Sequence, residues 1–327
     1  GMTPRSKLRQ AAGLAGWVLA LCAIAEASGL DRLYDCAFRR GLELLSRSRC
    51  DGHGVFWTAA APADGDGRLG LAHGNSGVAL ALTRLFSLSG YSPFSRAAAE
   101  AIAWEDARFS PALGDWPLEA APQQAGSAVA ATAARTWCNG APGMAVARAA
   151  ATAAGIELGS GSLQRAEVAT RYVPVSAVDH VCCGNLGLVD AMLTVAEATG
   201  DETVRRAAEM RAAIVVSRAR ARCAERLGEG AAELAALGYG VDGSADQASG
   251  EDAAPGAVAS LFRGLAGVGT VLLRLQSGPA SLTALEVSRR PSRPAAVDRQ
   301  ICEGIDFQNH GRPTRSAPPA QREGVVG

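Results

Sequence analysis

Five times the chain carries a Gly-x-x-Gly step at the head of an apolar segment: Gly13-Leu14-Ala15-Gly16, Gly74-Asn75-Ser76-Gly77, Gly140-Ala141-Pro142-Gly143, Gly184-Asn185-Leu186-Gly187 and Gly264-Leu265-Ala266-Gly267. The first glycines lie 61, 66, 44 and 80 residues apart. One such step would say little, but three copies run on in register. Ser28-Gly29, Ser89-Gly90 and Thr199-Gly200 each place a glycine 16 residues after the first, and Ala37, Ala98 and Ala208 each follow at 24. A small hydroxyl residue followed by glycine closes a helix, so the predicted unit is helix, Gly-capped turn, helix. Such a hairpin buries only one face alone. Copies must therefore stack, either as an extended solenoid or as a closed α/α barrel, and spacing does not choose between the two.

Composition agrees with an all-α fold. Hydrophobic residues make up 48% of the 327, alanine is abundant, and β-branched runs of period two are few. Thirty-two basic residues balance 32 acidic ones, and no basic stripe carries interleaved aromatics, so neither nucleic acid nor an anionic membrane is an expected partner. The eight cysteines are scattered along the chain rather than framing a small stapled domain, which fits a reduced, cytoplasmic setting. Arg5, Lys7 and Arg9, the apolar stretch from Ala11 to Ala25 and then Ala25-Glu26-Ala27 have the look of a secretory signal. Against that reading, the stretch keeps the register of the repeat, which a cleaved signal has no reason to do. Long loops are expected over Gly114 to Ala134 and Gly228 to Pro255, and a disordered tail over 289–327.

Candidate ligands recur at one place in the repeat. His73 directly precedes Gly74, Cys138 stands two residues before Gly140, and Cys182 and Cys183 stand two and one before Gly184. If each step starts a helix and these helices run the same way, their N-terminal ends bring the side chains together at one mouth. Three thiolates suffice for a catalytic Zn2+ whose fourth tetrahedral position stays open. Each cysteine taken singly also reads as a small core residue, and the vicinal pair as a strained redox disulfide. The coincidence at equivalent positions favours a metal. His180 lies outside the repeat position and reads as a supporting residue, while His53 and His310 read as solvated.

At these residues the chain resembles the lanthionine synthetase C-like family. The motifs are Gly70-Leu71-Ala72-His73-Gly74, Trp137-Cys138-Asn139-Gly140, Cys182-Cys183-Gly184-Asn185 and Ser260-Leu261-Phe262-Arg263-Gly264. Trp104-Glu105-Asp106 and Gly114-Asp115-Trp116-Pro117 are similar to the cyclase half of bifunctional class II lanthipeptide synthetases, and the adjacent cysteines resemble the three-cysteine branch. The resemblance implies an α/α toroid over 1–288, N-terminally incomplete because it lacks the first repeat and any dehydratase domain. It also implies zinc on Cys138, Cys182 and Cys183, with His73 as the acid/base residue. The implied reaction adds peptide cysteine thiols to dehydroalanine or dehydrobutyrine in a dehydrated precursor peptide, supplied by a dehydratase domain or chain. A departure is Arg9, which stands where the family carries an aspartate in an early repeat. The alternative reading is a non-catalytic, zinc-containing peptide-binding scaffold.

Overall fold

The apolar segments form helices that are buried almost all round, and the more polar segments between them form helices with one buried face. In a computed structural model that describes residues 4–58, 67–117, 133–227 and 261–277, the helices are α1 (Pro4–Ser28), α2 (Asp31–Ser46), α3 (Asn75–Ser89), α4 (Ser92–Asp106), α5 (Ala141–Ala153), α6 (Ser162–Arg171), α7 (Asn185–Thr199), α8 (Glu202–Leu227) and α9 (Leu265–Ser277). Consecutive helices pair as hairpins, α1 with α2 through α7 with α8, and the odd-numbered helices pack on one another in the order α1, α3, α5, α7, α9. The fold is all-α, layered as an α/α toroid with odd helices inside and even helices outside. All of the described residues belong to one unit, Gly1–Ala296.

The register read from the sequence has a physical basis. Gly29, Gly90 and Gly200 take left-handed conformations at φ 69, 67 and 73°, and each donates its N–H to the carbonyl four residues back, on Ala25, Phe86 and Ala196. Two residues later the outer helix begins. Ala37, Ala98 and Ala208 are each 0% exposed, where any larger side chain would hold the outer helix away from the inner one. The α5–α6 hairpin falls out of register because its connection is longer and turns twice, at Gly155 and Gly161 with φ 75 and 71°.

Two expectations need correction. The first Gly-x-x-Gly step opens nothing: Gly13 and Gly16 lie within α1, and nothing stands within 4 Å of where a Cβ on either would be. Two glycines three apart make the turn only when the residues before them fold back over the helix start, and before Gly13 the chain is already helical. The stretch from Ala11 to Ala25 is nonetheless a member of the stack, with Val18, Cys22 and Ala25 fully buried and Glu26 ion-paired to Arg84 of α3. The second correction is a small antiparallel hairpin, β1 (Arg49–Asp51) with β2 (Gly54–Phe56), inside a chain read as wholly helical. Its exposed tip holds His53, and the Asp51 carboxylate accepts the Trp104 indole N–H at 2.9 Å, fixing the hairpin to α4. Most of the two expected long loops (118–132 and 228–260), the expected tail and His310 lie outside the described residues, as does the Arg9 side chain. No helix among the described residues is long and apolar enough to cross a membrane.

Candidate metal centre

The four remaining Gly-x-x-Gly steps start α3, α5, α7 and α9, and their turns obey one rule. The carbonyl of the residue three before the first glycine folds over the second glycine: a Cβ on Gly77, Gly143, Gly187 or Gly267 would lie 2.1, 2.1, 2.0 or 1.8 Å from the oxygen of Leu71, Trp137, Val181 or Leu261. The next turn along also reaches in, since a Cβ on Gly187 would stand 2.8 Å from the Cβ of Trp137. Only glycine admits both approaches.

Backbone bonds then tie turn to turn. Ala72 N–H donates to the Cys138 carbonyl at 2.8 Å, Cys138 N–H to the Cys182 carbonyl at 3.3 Å, and Cys182 N–H to the Phe262 carbonyl at 2.9 Å. All four residues stand two before the first glycine of their step, so this position runs along the mouth as a hydrogen-bonded chain. The residues one before the glycine are His73, Asn139, Cys183 and Arg263, of which His73, Asn139 and Arg263 are exposed.

This register brings the sulfurs of Cys138, Cys182 and Cys183 within 4.8 Å of one another. Cys138 to Cys183 is 3.7 Å and Cys182 to Cys183 is 3.4 Å. Tetrahedral zinc with bonds of about 2.3 Å sets ligand sulfurs about 3.8 Å apart, so the cluster has the size that the ion needs. Burial pushes the Cys183 thiol up to about 12, and the neighbouring sulfurs push the same way. Burial also raises Cys182, opposed by hydrogen bonds from Cys183 and from the Arg263 guanidinium. The raised thiols of Cys182 and Cys183 favour the protonated form, and a metal ion binding there must displace those protons.

His73 is exposed on the first of these turns, next to Ala72, whose N–H is on the Cys138 carbonyl. His180 is not among the clustered residues. It is 4% exposed, and its Nδ1 accepts the Cys183 N–H at 3.1 Å, which locks the turn that carries the two adjacent cysteines. Cys22 is a core residue whose thiol burial pushes to about 12, and Cys36 and Cys50 are exposed and apart from the cluster.

Two buried ionic networks hold the mouth, and neither was assigned a role from the sequence. Glu105, 0% exposed, accepts the N–H groups of Gly70 and Ser76 at 3.0 Å each through Oε1, so one carboxylate oxygen clamps both ends of the turn bearing His73. Its Oε2 faces Arg148 Nη1 at 3.2 Å, and Arg148 also reaches Asp106 at 2.8 Å. Burial raises the Glu105 pKa against the lowering effect of Arg148 and of the hydrogen bonds. Trp116 donates its indole N–H to the Glu105 carbonyl at 2.8 Å, which is how Trp104-Glu105-Asp106 and Gly114-Asp115-Trp116-Pro117 come to act as one unit. In the second network Asp190, 2% exposed, accepts the Trp137 indole at 3.2 Å and pairs with Arg274 of α9 at 2.7 Å, anchoring the residue before Cys138. Pairing of far-separated charges was the available signal, and single-helix periodicity does not reveal it.

A turn rule shared by four steps, a sulfur cluster at equivalent tips and the motifs that hold them have a counterpart among known families. The family model for lanthionine synthetase C-like proteins matches residues 10–285. The chain belongs to the lanthionine synthetase C-like family. No curated protein matches it. The lanthionine synthetase C-like match takes in every described residue of the mouth, from Gly70 to Gly267, together with both ionic networks beneath it.

Proposed function

We propose that this chain is a zinc-dependent cyclase domain that forms lanthionine and methyllanthionine thioethers in a dehydrated precursor peptide, the domain running to about residue 288, where the sequence loses its apolar pattern. The observation that carries the reading is the convergence of three cysteine sulfurs within 4.8 Å at the start of inner helices, in a member of this family. Cys138, Cys182 and Cys183 would hold the ion. A zinc ion held by the three thiolates would supply Lewis acidity that lowers the pKa of an incoming thiol toward neutral.

The chain's own residues account for the rest. The N-terminal ends of α5 and α7 follow directly on Cys138 and on Cys182-Cys183, and their positive dipole ends favour anionic sulfur there. The substrate sulfur adds to the β-carbon of a dehydroalanine or dehydrobutyrine, and the electron pair of the double bond moves toward the carbonyl. His73 then delivers a proton to the α-carbon as a general acid. Glu105 keeps the turn beneath His73 from drifting. The dehydrated residues must come from a dehydratase, as a further domain or a separate chain, and a reducing cytoplasm would keep the three thiols available.

Two measurements test the reading. Purified protein is expected to hold about one zinc per chain, as a single catalytic site requires, and Cys138→Ala to lose it. Incubation of the zinc-loaded protein with a dehydrated, cysteine-containing peptide is expected to consume the peptide's free thiols. Thiols that persist beside bound zinc would make the chain a peptide-binding scaffold instead.

A further inference from the structure

We propose that Arg263 is a further catalytic residue of this site, the cation that receives the carbonyl oxygen of the dehydroamino acid as that oxygen becomes negatively charged. The inference rests on the cyclase reading above and extends it to a residue with no role there.

Arg263 occupies the position in the α9 turn that His73 and Cys183 occupy in theirs, one before the first glycine. Its neighbour Phe262 is bonded through its carbonyl to the Cys182 N–H at 2.9 Å, so the Arg263 backbone is tied directly to the sulfur cluster. The side chain is exposed at the mouth rather than packed away, one residue beyond the carbonyl that holds the Cys182 N–H. A guanidinium carries five donors in a rigid fork, which suits it to receive an oxygen. Among the four equivalent positions, Asn139 is neutral, Cys183 belongs to the cluster and His73 changes charge during the reaction. Arg263 alone of the four stays cationic throughout.

The chemistry calls for such a group. Three thiolates against a dication leave the mouth anionic, and the reaction develops a second negative charge nearby. As the C–S bond forms at the β-carbon, the double-bond pair shifts to make an enolate, with its charge on the carbonyl oxygen. Protonation of the α-carbon by His73 returns the pair and restores the carbonyl. The proton lost by the thiol balances the proton gained at carbon, and no oxidant or reductant takes part. A fixed cation placed where that charge develops stabilises the transition state more than the ground state.

The test uses the full chain loaded with zinc and compares it with Arg263→Met and Arg263→Lys. Three quantities are read: kcat and KM for thiol loss from a dehydrated cysteine-containing peptide, zinc content, and the affinity for a dehydrated peptide whose cysteines are replaced by alanine. Arg263→Met is expected to lower kcat at least about 100-fold, the usual cost of removing one such donor. Its zinc content and melting temperature should match the wild type, its affinity for the cysteine-free peptide should weaken, and Arg263→Lys should recover part of the rate. A kcat for Arg263→Met within about twofold of wild type would overturn the role, as would zinc lost in step with activity, which would make Arg263 a support for the metal site. A wild-type protein that holds zinc and leaves every thiol free defeats the cyclase reading and this role together. Ring closure by wild type and Arg263→Met alike defeats this role alone.

Discussion

Inner helices α3 and α7 use glycine at both ends, for different reasons. Where α3, α5, α7 and α9 begin, a methyl group on the second glycine of each step would meet a carbonyl oxygen about a bond length and a half away, at 1.8 to 2.1 Å. Where α3 and α7 end, Gly90 and Gly200 have open space around them and are required only by φ of 67 and 73°. One end is fixed by contact and the other by conformation. Contacts at the starting ends also set the sulfur geometry, so changes there should couple stability to metal binding, and changes at the far ends should not.

The largest effect expected is from Arg148→Met, which leaves the fully buried Glu105 carboxylate without its ionic partner under the His73 turn. Breaking a buried pair in this way costs about 3–5 kcal/mol. Urea unfolding should show that loss, and zinc affinity should fall with it because Glu105 clamps both ends of the turn resting on Cys138. Gly187→Ala comes next. Forcing an atom into a filled site costs about 1–3 kcal/mol, and the backbone shift that relieves it moves the start of α7 and with it Cys182 and Cys183, so zinc affinity should again drop. Gly90→Ala should cost about 1 kcal/mol by placing a Cβ in the left-handed region, with zinc affinity unchanged. If Gly90→Ala weakened zinc as much as Gly187→Ala, the separation of the two ends would be wrong.

The smallest effect at neutral pH is electrostatic. In the metal-free protein Cys183 is pushed up to about 12 from 9.0, and Cys182 is raised in the same direction. Stability from burying neutral thiols is fully present below about pH 9 and is lost as pH rises toward 12, because the unfolded chain ionises first. Melting temperatures of metal-free protein from pH 7 to 11 should fall above pH 9. Cys22 contributes the same trend from elsewhere in the core, so the scan belongs in a Cys22→Ala background. Zinc binding has the opposite slope: protons must leave the sulfurs, so affinity should rise with pH across the neutral range.

Much of this was legible in the sequence, for a reason that lies in the repeat. Cys138, Cys182 and Cys183 stand at fixed offsets from glycines that sterics will not release, so their register along the chain became their register at the mouth. The same reasoning over-read Gly13-Leu14-Ala15-Gly16, where glycine spacing matched but no preceding residue folded back to make a turn. Strands of three residues, as at Arg49–Asp51, are too short to leave a period-two pattern. Glu105 and Arg148 stand 43 positions apart on different helices, and nothing local to either marks it as buried. Arg263 was visible inside its motif, but its meaning emerges only when the α9 turn is set beside the turn of Cys182.

X-ray absorption at the zinc edge tests the central claim most directly, because it counts the atoms bound to the metal. The account predicts three sulfurs at about 2.3 Å with one lighter atom in the fourth position, becoming four sulfurs when a cysteine-containing peptide is added. Two sulfurs with imidazole scattering, or no change on adding the peptide, would contradict it.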